Sequence, residues 1–383
     1  MRRTLWITCF LLATQFSFAA DQPRARDLGI PFDGTPGPLN AITDVAGVTV
    51  GHTTLIEDLE DGRAVRTGVT AVLPRGKDTL LRPVFGGWFA LNGNGEMTGT
   101  TWLEESGQLE GPVMLTNTHS VGTVHQATIA WRIRQGEPDA SGYWWALPVV
   151  AETWDGHLND INGFHVKAEH VDAALDGAAS GAVAEGNVGG GTGMVCYEFK
   201  GGIGTASRMV DVLGSSYTVG VLVQANYGLR EQLRISGVPV GRYLREHRIY
   251  SEPDPDVDGT GSIIVVVATD APLLPHQLKR IARRAALGLG RNGSIASNGS
   301  GDIFVAFSTA DVSLGRADQL LDHQSIPNDA ISSLFGATVE AVEEAIINAL
   351  IAARDMTGDQ GHYAKALPHD ALVEVMTSHA YGP

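Results

Sequence analysis

The sequence predicts an α/β fold in which the central strands are covered on both faces. The main observation is a run of β-branched and other apolar residues, IIVVVAT, within a strand predicted at 262–269. A strand that is apolar on both faces is typically buried on both faces. Two further apolar runs, at 217–224 and 303–309, are also typical of strands. Helical patterns at 275–288 and 339–354 alternate with these strands, which is typical of layered α/β proteins.

The first nineteen residues have the pattern of a secretory signal peptide. Arg2 and Arg3 precede an apolar stretch at 5–13, and Ser17 and Ala19 are small residues at the spacing that a signal peptidase needs. We therefore expect cleavage after Ala19 and a periplasmic or secreted protein. The apolar stretch is short for a membrane span, so an uncleaved anchor is the less favoured alternative.

The charge of the chain argues against two classes of partner. Removal of the signal peptide takes away two of the 27 basic residues and none of the 43 acidic ones, so the formal net charge changes from −16 to −18. A surface this negative repels phosphate backbones and anionic headgroups, so we expect no nucleic acid and no membrane as partners. It is compatible with a cationic substrate, such as a free amino terminus. Cys9 leaves with the signal, and Cys196 alone cannot form an internal disulfide.

The first half of the mature chain is predicted to combine short strands with two helices. The strands are expected at 41–54, 68–73, 113–116 and 146–150, and the helices at 118–134 and 166–182. The chain shows no internal repeat and no low-complexity linker. From the residues alone, the mature chain could form one large α/β domain or two smaller ones.

The second half has clearer patterns and one candidate processing loop. Pro275 is well placed to open the helix at 275–288, because proline is favoured in the first turn of a helix. Residues 251–260, with the sequence SEPDPDVDGT, are acidic and rich in turn residues. Such a segment is expected to be exposed and accessible to processing.

Gly261 and Ser262 stand between this loop and the apolar strand. If the peptide bond before Ser262 were cut, the new chain would begin with a hydroxyl nucleophile and a free α-amine on one residue. This is the arrangement of N-terminal-nucleophile hydrolases, in which the amine is the base for its own side chain. A Gly-Ser pair is more often an ordinary loop, so the dipeptide alone leaves both interpretations open.

Polar residues at the ends of other strands are further candidates. Ser300 and Asp302 could form a short relay that orients a nucleophile or its ammonium group, or they could cap the strand in a turn. Asn226 could donate its amide to an oxyanion, although asparagine is equally a turn residue. Glu152 and Asp155 could hold a substrate ammonium group or belong to a solvated loop.

Two glycine-rich segments, 189–193 and 201–204, raise the possibility of phosphate binding. No apolar strand precedes the first segment, and no Gly-Lys-Ser/Thr follows it. We therefore favour glycines that line a pocket or allow close approach of the backbone over a nucleotide-binding loop.

The histidines do not indicate a metal site. The pairs 119/125 and 165/170 lack the i, i+4 spacing with an intervening glutamate that a helical zinc site uses. We expect neither a metal nor another cofactor.

Long blocks of sequence carry a resemblance to a known family. They are RARDLGIPFDGTPGPLNAITDVAGVTVGHTT (24–54), FGGWFALNGNGEMTGTTWLEESG (85–107), NTHSVGTV, LPVVAETWDGHLNDING, VGGGTGM, GSIIVVVATDAPLLPHQLKRIARRAALG and SGDIFVAFSTA. Together they resemble the L-aminopeptidase/D-esterase and β-peptidyl aminopeptidase family over nearly the whole mature chain. The resemblance implies a four-layer αββα sandwich, similar to that of N-terminal-nucleophile hydrolases but with different connectivity. It also implies that residues 20–383 form a single domain.

Members of that family are precursors that cut themselves before a serine. Carried over to this sequence, the resemblance implies cleavage between Gly261 and Ser262 into an α chain, residues 20–261, and a β chain, residues 262–383. These chains would stay together, and we expect a homotetramer of αβ units.

The resemblance also implies roles for individual residues. Ser262 matches the nucleophile, Ser300 and Asp302 match the residues that assist it, and Asn226 matches an oxyanion-stabilising asparagine. Trp154 takes the place of a tyrosine near the family's site, so an indole N–H would replace a phenolic O–H.

The implied activity is that of an exported serine aminopeptidase or amidase that needs no cofactor. It would release N-terminal residues of L-α, D-α or β-amino type from short peptides, amides or esters through an acyl-enzyme. Glu152 would hold the free amino end of the substrate. Two alternatives stay open, namely an acyltransferase of similar fold and a non-catalytic periplasmic binding protein.

Overall fold

A computed structural model describes residues 23–77, 82–136, 145–249, 261–311 and 320–379. The predicted signal peptide and the predicted processing loop, residues 251–260, lie outside the described residues. The strands are, in chain order, β1 Thr49–Asp58, β2 Ala64–Lys77, β3 Val84–Ala90, β4 Gln108–Leu109, β5 Val113–Asn117, β6 Val149–Thr153, β7 Val195–Cys196, β8 Phe199–Lys200, β9 Gly202–Val212, β10 Ser215–Asn226, β11 Gly261–Thr269, β12 Ser300–Ser308, β13 Met356–Thr357 and β14 Tyr363–Ala364. The α-helices are α1 Thr100–Ser106, α2 Val121–Gln135, α3 Ala168–Asp176, α4 Pro275–Arg291, α5 Ser332–Ala352 and α6 His369–His379.

Two sheets form the centre of the described structure. The first has the strand order β1-β2-β5-β6, and the second has the order β4-β3-β12-β11-β10-β9. In the second sheet β11 and β12 are parallel, whereas β10 is antiparallel to β11. β11 is therefore an interior strand with a hydrogen-bonded neighbour on each side.

Three apolar cores separate four layers. One core lies between the sheets and contains residues of both, such as Leu115 and Val266. A second joins the first sheet to α2 and α3, with Trp131 among its members. The third joins the second sheet to α4 and α5, with Ile281 among its members. This order of layers confirms the predicted αββα sandwich.

The apolar run of β11 serves two of these cores. Ile264 and Val266 belong to the core between the sheets, whereas Ile263, Val265 and Val267 belong to the core beneath the helices. Successive side chains of a strand point to opposite faces, so an unbroken apolar run is what a strand buried on both faces requires. The prediction for residues 262–269 is therefore confirmed.

Several element boundaries differ from the predictions. The predicted helix at 166–182 spans only α3, the strand at 146–150 lies at 149–153, and the helix at 339–354 already begins at Ser332. The segment 41–54 starts with a short 3-10 turn and becomes a strand only at Thr49. The strands and α-helices that the patterns did not reveal are the longer elements β3, β9, α1 and α6 and the two-residue strands β4, β7, β8, β13 and β14.

Strand β9 was missed because of its glycines, Gly202 and Gly204, which allow the close approach of Gly186 and of α5, respectively. A Cβ atom at Gly204 would overlap with the carbonyl oxygen of Ala345 in α5. The absence of a side chain therefore allows the helix to approach the sheet closely. Of the helices in the described part of the chain, none combines the length and apolar character needed to cross a bilayer.

Alanine substitutions at two glycines are expected to have opposite effects on stability. Gly204→Ala forces a methyl group against the α5 backbone, so we expect the free energy of unfolding to fall by about 1–3 kcal/mol. Gly336→Ala lies within α5 where no atom is close to the added Cβ, so we expect a gain of roughly 0.5–1 kcal/mol. Urea denaturation of both variants checks this, and equal effects at the two positions would contradict the packing argument.

Candidate active site

The pairing of β11 with its two neighbours brings the predicted site residues together. In the parallel pair β11–β12, Ser262 lies opposite Gly301, between Ser300 and Asp302. In the antiparallel pair β10–β11, Asn226 lies opposite Ser262. Residues of three neighbouring strands therefore meet at one end of these strands in the second sheet.

The side chain of Ser262 and the Ser300–Asp302 pair belong to opposite faces of the sheet. Residues two apart in a strand point to the same face of the sheet. Ser262 therefore points the same way as Ile264, into the space between the sheets, and Asp302 the same way as Phe304, towards the helices. The main chain of β11 lies between the two faces. The Ser262 hydroxyl can thus face a substrate, while the Asp302 carboxylate accepts a hydrogen bond from the next main-chain nitrogen of β11, that of Ile263.

The hydroxyl of Ser262 is held by the main chain. Its Oγ accepts a hydrogen bond of 3.1 Å from the Gly301 N–H, and the residue is buried. The segment that follows β3 packs directly on Gly301. A Cβ atom at Gly301 would overlap with the carbonyl of Asn94, so this position has no room for a side chain. The position of the Ser262 hydroxyl therefore depends on a close backbone approach.

Ser300 and Asp302 form a buried hydrogen-bonded pair. Ser300 Oγ donates to Asp302 Oδ1 over 2.6 Å. Burial raises the pKa of Asp302, and hydrogen bonds from Ser300, Asn92 and the Ile263 N–H oppose this rise by stabilising the carboxylate. An ionised acid here can stabilise a positive charge on the neighbouring Ser262 nitrogen.

The Asn226 amide has a fixed orientation. Its Oδ1 accepts a hydrogen bond of 2.8 Å from the Val195 N–H, and its Nδ2 donates over 2.9 Å to the Trp154 carbonyl. An amide nitrogen carries two hydrogens, so the second N–H remains for an oxygen of a substrate. This geometry suits an oxyanion donor next to Ser262.

Trp154 reaches this site through its main chain. Its carbonyl binds Asn226, whereas its indole is 45% exposed and lies over Gly156, where a Cβ atom would come within 2.6 Å of the ring. The indole N–H does not make the contact to Asn226.

Glu152 lies near the end of β6, in the first sheet. Its Oε1 accepts a hydrogen bond of 2.9 Å from the Glu96 N–H, and its Oε2 accepts one from Thr118. A Cβ atom at Gly95 would contact both Glu152 and Gly301, at 3.4 and 3.1 Å, so the carboxylate lies beside the backbone that binds Ser262. Burial raises the pKa of Glu152.

Asp155, the second acid of that segment, is turned into the protein. It is fully buried, and its Oδ1 accepts a hydrogen bond of 3.0 Å from Asn159, whose own Oδ1 binds the Arg66 N–H. Burial raises the pKa of Asp155 to about 7. These contacts favour a structural role for Asp155 and leave Glu152 as the acid near Ser262.

Both glycine-rich segments contribute carbonyl groups to the surroundings of a buried lysine. Lys200 is fully buried, and its Nζ donates to the carbonyls of Gly191, Met194 and Gly201 over 3.2, 2.9 and 2.8 Å. A phosphate-binding loop presents N–H groups to its ligand, whereas these segments present carbonyl oxygens to the amino group of Lys200. The glycines allow close packing, as predicted; a Cβ atom at Gly190 would overlap with Gln224.

The histidines have ordinary structural contacts. His119 stacks on Phe164 with ring centroids 5.9 Å apart, and His165 Nε2 lies 3.1 Å from Asp160 Oδ2. Among the described residues, no group of three or more His, Cys, Asp or Glu side chains is arranged to hold a metal ion.

Three residues with close contacts to the site were not singled out from the sequence: Asn92, Thr118 and Lys200. Asn92 and Thr118 follow the ends of β3 and β5, where a polar residue after an apolar strand is a usable signal. Lys200 follows no such pattern, because its role depends on carbonyl groups that only the folded chain brings around it.

Comparisons with known proteins agree with this fold. The model of peptidase family S58 matches residues 40–364. The beta-peptidyl aminopeptidase BapA of Sphingosinicella microcystinivorans is 55% identical over 372 residues, which cover 94% of this chain and 93% of that protein. The beta-peptidyl aminopeptidase BapA of Sphingosinicella xenopeptidilytica is 48% identical over 388 residues, covering 97% of this chain and 95% of that protein.

A solved structure gives the same result. The L-aminopeptidase D-Ala-esterase/amidase from Ochrobactrum anthropi superposes with a TM-score of 0.86 at 50% identity, covering 94% of this chain and 99% of that one. That protein is described as a prototype for the serine aminopeptidases and as a new variant of the Ntn hydrolase fold. The family resemblance and the fold class predicted from the sequence are confirmed.

The buried carboxyl group of Asp155 is expected to make stability depend on pH. Its folded-state pKa of about 7 lies above the unfolded value of about 4, so the folded state holds the proton more tightly. The resulting stability is present below about pH 4 and is lost as the pH rises to about 7. Asp155→Asn has no carboxyl group to ionise, so its free energy of unfolding does not fall in this way as the pH rises. In urea denaturation between pH 4.5 and 7.5, the variant should therefore gain relative to the wild type as the pH rises; parallel pH curves would contradict the assignment.

Proposed function

The chain belongs to peptidase family S58 and is an aminopeptidase, and from this premise we propose that it cuts itself between Gly261 and Ser262 and acts through Ser262. The observation that carries the proposal is the strand pairing that puts Ser262 beside Ser300, Asp302 and Asn226. In the continuous chain the Ser262 nitrogen is an amide, which is not basic. Cleavage converts this nitrogen into the amine that the chemistry needs.

The geometry at Gly261 supports self-cleavage. This residue has a φ of +128°, a conformation that side-chain-bearing residues rarely adopt, and a Cβ atom there would overlap with the Asn226 carbonyl. The bond before Ser262 therefore lies in a backbone that only glycine tolerates, and strained backbone is typical of reactive positions.

Maturation would proceed by an N-to-O acyl shift. Ser262 Oγ attacks the Gly261 carbonyl carbon; a C–O bond forms, the C–N bond breaks, and the hydroxyl proton ends on the released nitrogen. Water then hydrolyses the ester, which leaves a carboxylate on Gly261 and both a free amine and a free hydroxyl on Ser262.

Turnover of a substrate would use the same atoms. The Ser262 amine, with an ordinary pKa of about 8, accepts the Oγ proton as Oγ attacks the substrate carbonyl. Ser300 and Asp302 stabilise the resulting ammonium, and the free N–H of Asn226 stabilises the oxyanion. The leaving group takes the proton, and water then releases the acyl group from Ser262.

Glu152 is proposed to bind the amino end of the substrate. It is an acid next to the Gly301 backbone, and its two oxygens are already oriented by Glu96 N–H and Thr118. A carboxylate held in this way can pair with a substrate ammonium group without reorganising. Short peptides, amides and esters with a free amino end, of L-α, D-α or β-amino type, are the proposed substrates.

The remaining parts of the proposal rest on the sequence. Residues 1–19 have the pattern of a signal peptide, which supports export to the periplasm or beyond, and a homotetramer of αβ units stays a prediction. Membership of an aminopeptidase family makes the alternative of a non-catalytic binding protein wrong. Acyl transfer stays an alternative, which product analysis with a competing amine acceptor would distinguish from hydrolysis.

Ser262→Ala is expected to abolish both self-cleavage and turnover, because it removes the attacking oxygen. Intact-mass measurement should show two wild-type fragments that join at 261/262 and a single polypeptide for the variant. The variant should not hydrolyse amino-acid p-nitroanilides. Ser215→Ala, at an exposed serine that begins β10, is the control and should behave like the wild type. A wild-type protein that is active while its chain is continuous at 261/262 would refute the proposal.

Glu152→Gln is expected to weaken substrate binding and to leave self-cleavage intact, because maturation involves no substrate ammonium. Loss of a charge-assisted hydrogen bond should lower kcat/KM about 10- to 100-fold, mainly through KM. Glu96→Gln is the matched control, because its main-chain N–H still binds Glu152. Steady-state kinetics on processed enzyme check this, and an equal loss in both variants would argue against Glu152 as the ammonium site.

A further inference from the structure

The segment that follows β3 runs beside the start of β12, where Ser300 and Asp302 lie. The Leu91 N–H donates to the Asp302 carbonyl over 2.9 Å, and the Asn94 N–H donates to the Ser300 carbonyl over 3.2 Å. The antiparallel pairing of β3 with β12 therefore continues beyond the last residue of β3. This continuation places the Asn92 side chain next to the acidic pair.

Asn92 binds Asp302 through both ends of its amide. Its Nδ2 donates to Asp302 Oδ2 over 3.2 Å, and its Oδ1 accepts the Asp302 N–H. Nδ2 also donates to the Ser297 carbonyl over 3.2 Å, which fixes the amide relative to the turn before β12. Ser300 binds the other carboxylate oxygen, so each oxygen of Asp302 has its own side-chain donor.

The other groups around Asp302 come from the remaining neighbouring elements. The Ile263 N–H of β11 binds the carboxylate. The phenols of Tyr197 and Tyr227, whose hydroxyl oxygens lie 3.3 Å apart, interact with it electrostatically from the helix-facing side. After cleavage the Ser262 ammonium would be the positive charge nearest to it. Asn92 lies in the part of the chain before residue 261, and its side chain thus donates across to the Asp302 carboxylate in the part that follows.

We propose that Asn92 is a positioning residue, which holds the Asp302 carboxylate in the orientation that serves Ser300 and the Ser262 amine. The proposal rests on the proposed function, because it gives Asn92 a role only if that amine is the catalytic base. Asn92 acts through Asp302 and does not contact the reacting atoms. Fixing the carboxylate on both sides prevents it from rotating away when the amine gains and loses its proton.

The test compares two variants at Asn92 with a control in the same segment. Asn92→Asp keeps the shape and the oxygen that accepts the Asp302 N–H but replaces the donor by an oxygen, and Asn92→Leu removes the amide. Asn94→Leu is the matched control, because Asn94 Nδ2 binds the Gly299 carbonyl over 2.8 Å and not the carboxylate. All kinetics are measured on processed enzyme, with the processed fraction taken from intact mass.

Both Asn92 variants should lose about 10- to 100-fold in kcat with less than about a twofold change in KM, because one donor to a charged group is lost. The acid limb of the kcat profile reports the Ser262 amine, which must be neutral to accept the Oγ proton. The introduced carboxyl of Asn92→Asp adds a negative charge near this amine and should raise its pKa, so the acid limb of this variant should move to higher pH. Asn92→Leu adds no charge and is the uncharged comparison.

The outcomes separate this proposal from the one it rests on. Wild-type kcat and an unmoved acid limb in Asn92→Asp, or an equal loss in Asn94→Leu, would overturn the role of Asn92 while Ser262 remains the nucleophile. Turnover by wild-type enzyme with no break at 261/262 would overturn the proposed function instead. If Asn92→Leu stays unprocessed, Asn92→Asp decides the question, because it preserves the shape of the side chain.

Discussion

The candidate site depends on the register between β11 and β12. A slip of one residue would move every side chain of β11 to the opposite face, which would exchange Ser262 with Ile263 and turn the hydroxyl towards the helices. The apolar residues that follow prevent this, because Ile264 and Val266 fit only the core between the sheets. The packing that stabilises the fold therefore also determines where the hydroxyl of Ser262, the proposed nucleophile, lies.

Main-chain groups hold most of the polar side chains of the site. The Gly301 N–H binds Ser262, the Val195 N–H binds Asn226, and the Glu96 N–H binds Glu152. Such donors cannot rotate as hydroxyl groups do, so the side chains they bind are oriented before a substrate arrives. At the fully buried Lys200 the roles are exchanged, because the side chain is the donor and main-chain carbonyls are the acceptors. Its contacts order the segment that leads to Val195.

The sequence predicts the residues at the ends of strands better than those brought in by tertiary contacts. Ser262, Ser300 and Asn226 border apolar runs, so strand pairing alone was enough to bring them together. The contact of Trp154 with Asn226 uses a carbonyl that every residue has, so no residue type signals it. Strand β9 was hidden for a related reason, because the need for its glycines arises only where distant parts of the chain, Gly186 and helix α5, pack against the strand.

The interior position of β11 has a consequence for any chain end that begins at Ser262. Protein termini usually fray, because they have few neighbours and much conformational freedom. Here the first residue would sit between two hydrogen-bonded strands, with apolar packing on both sides of the residues behind it. Such a terminus would have the rigidity of a strand interior. The two polypeptides would stay associated, because β11 of the second is hydrogen-bonded to β10 of the first.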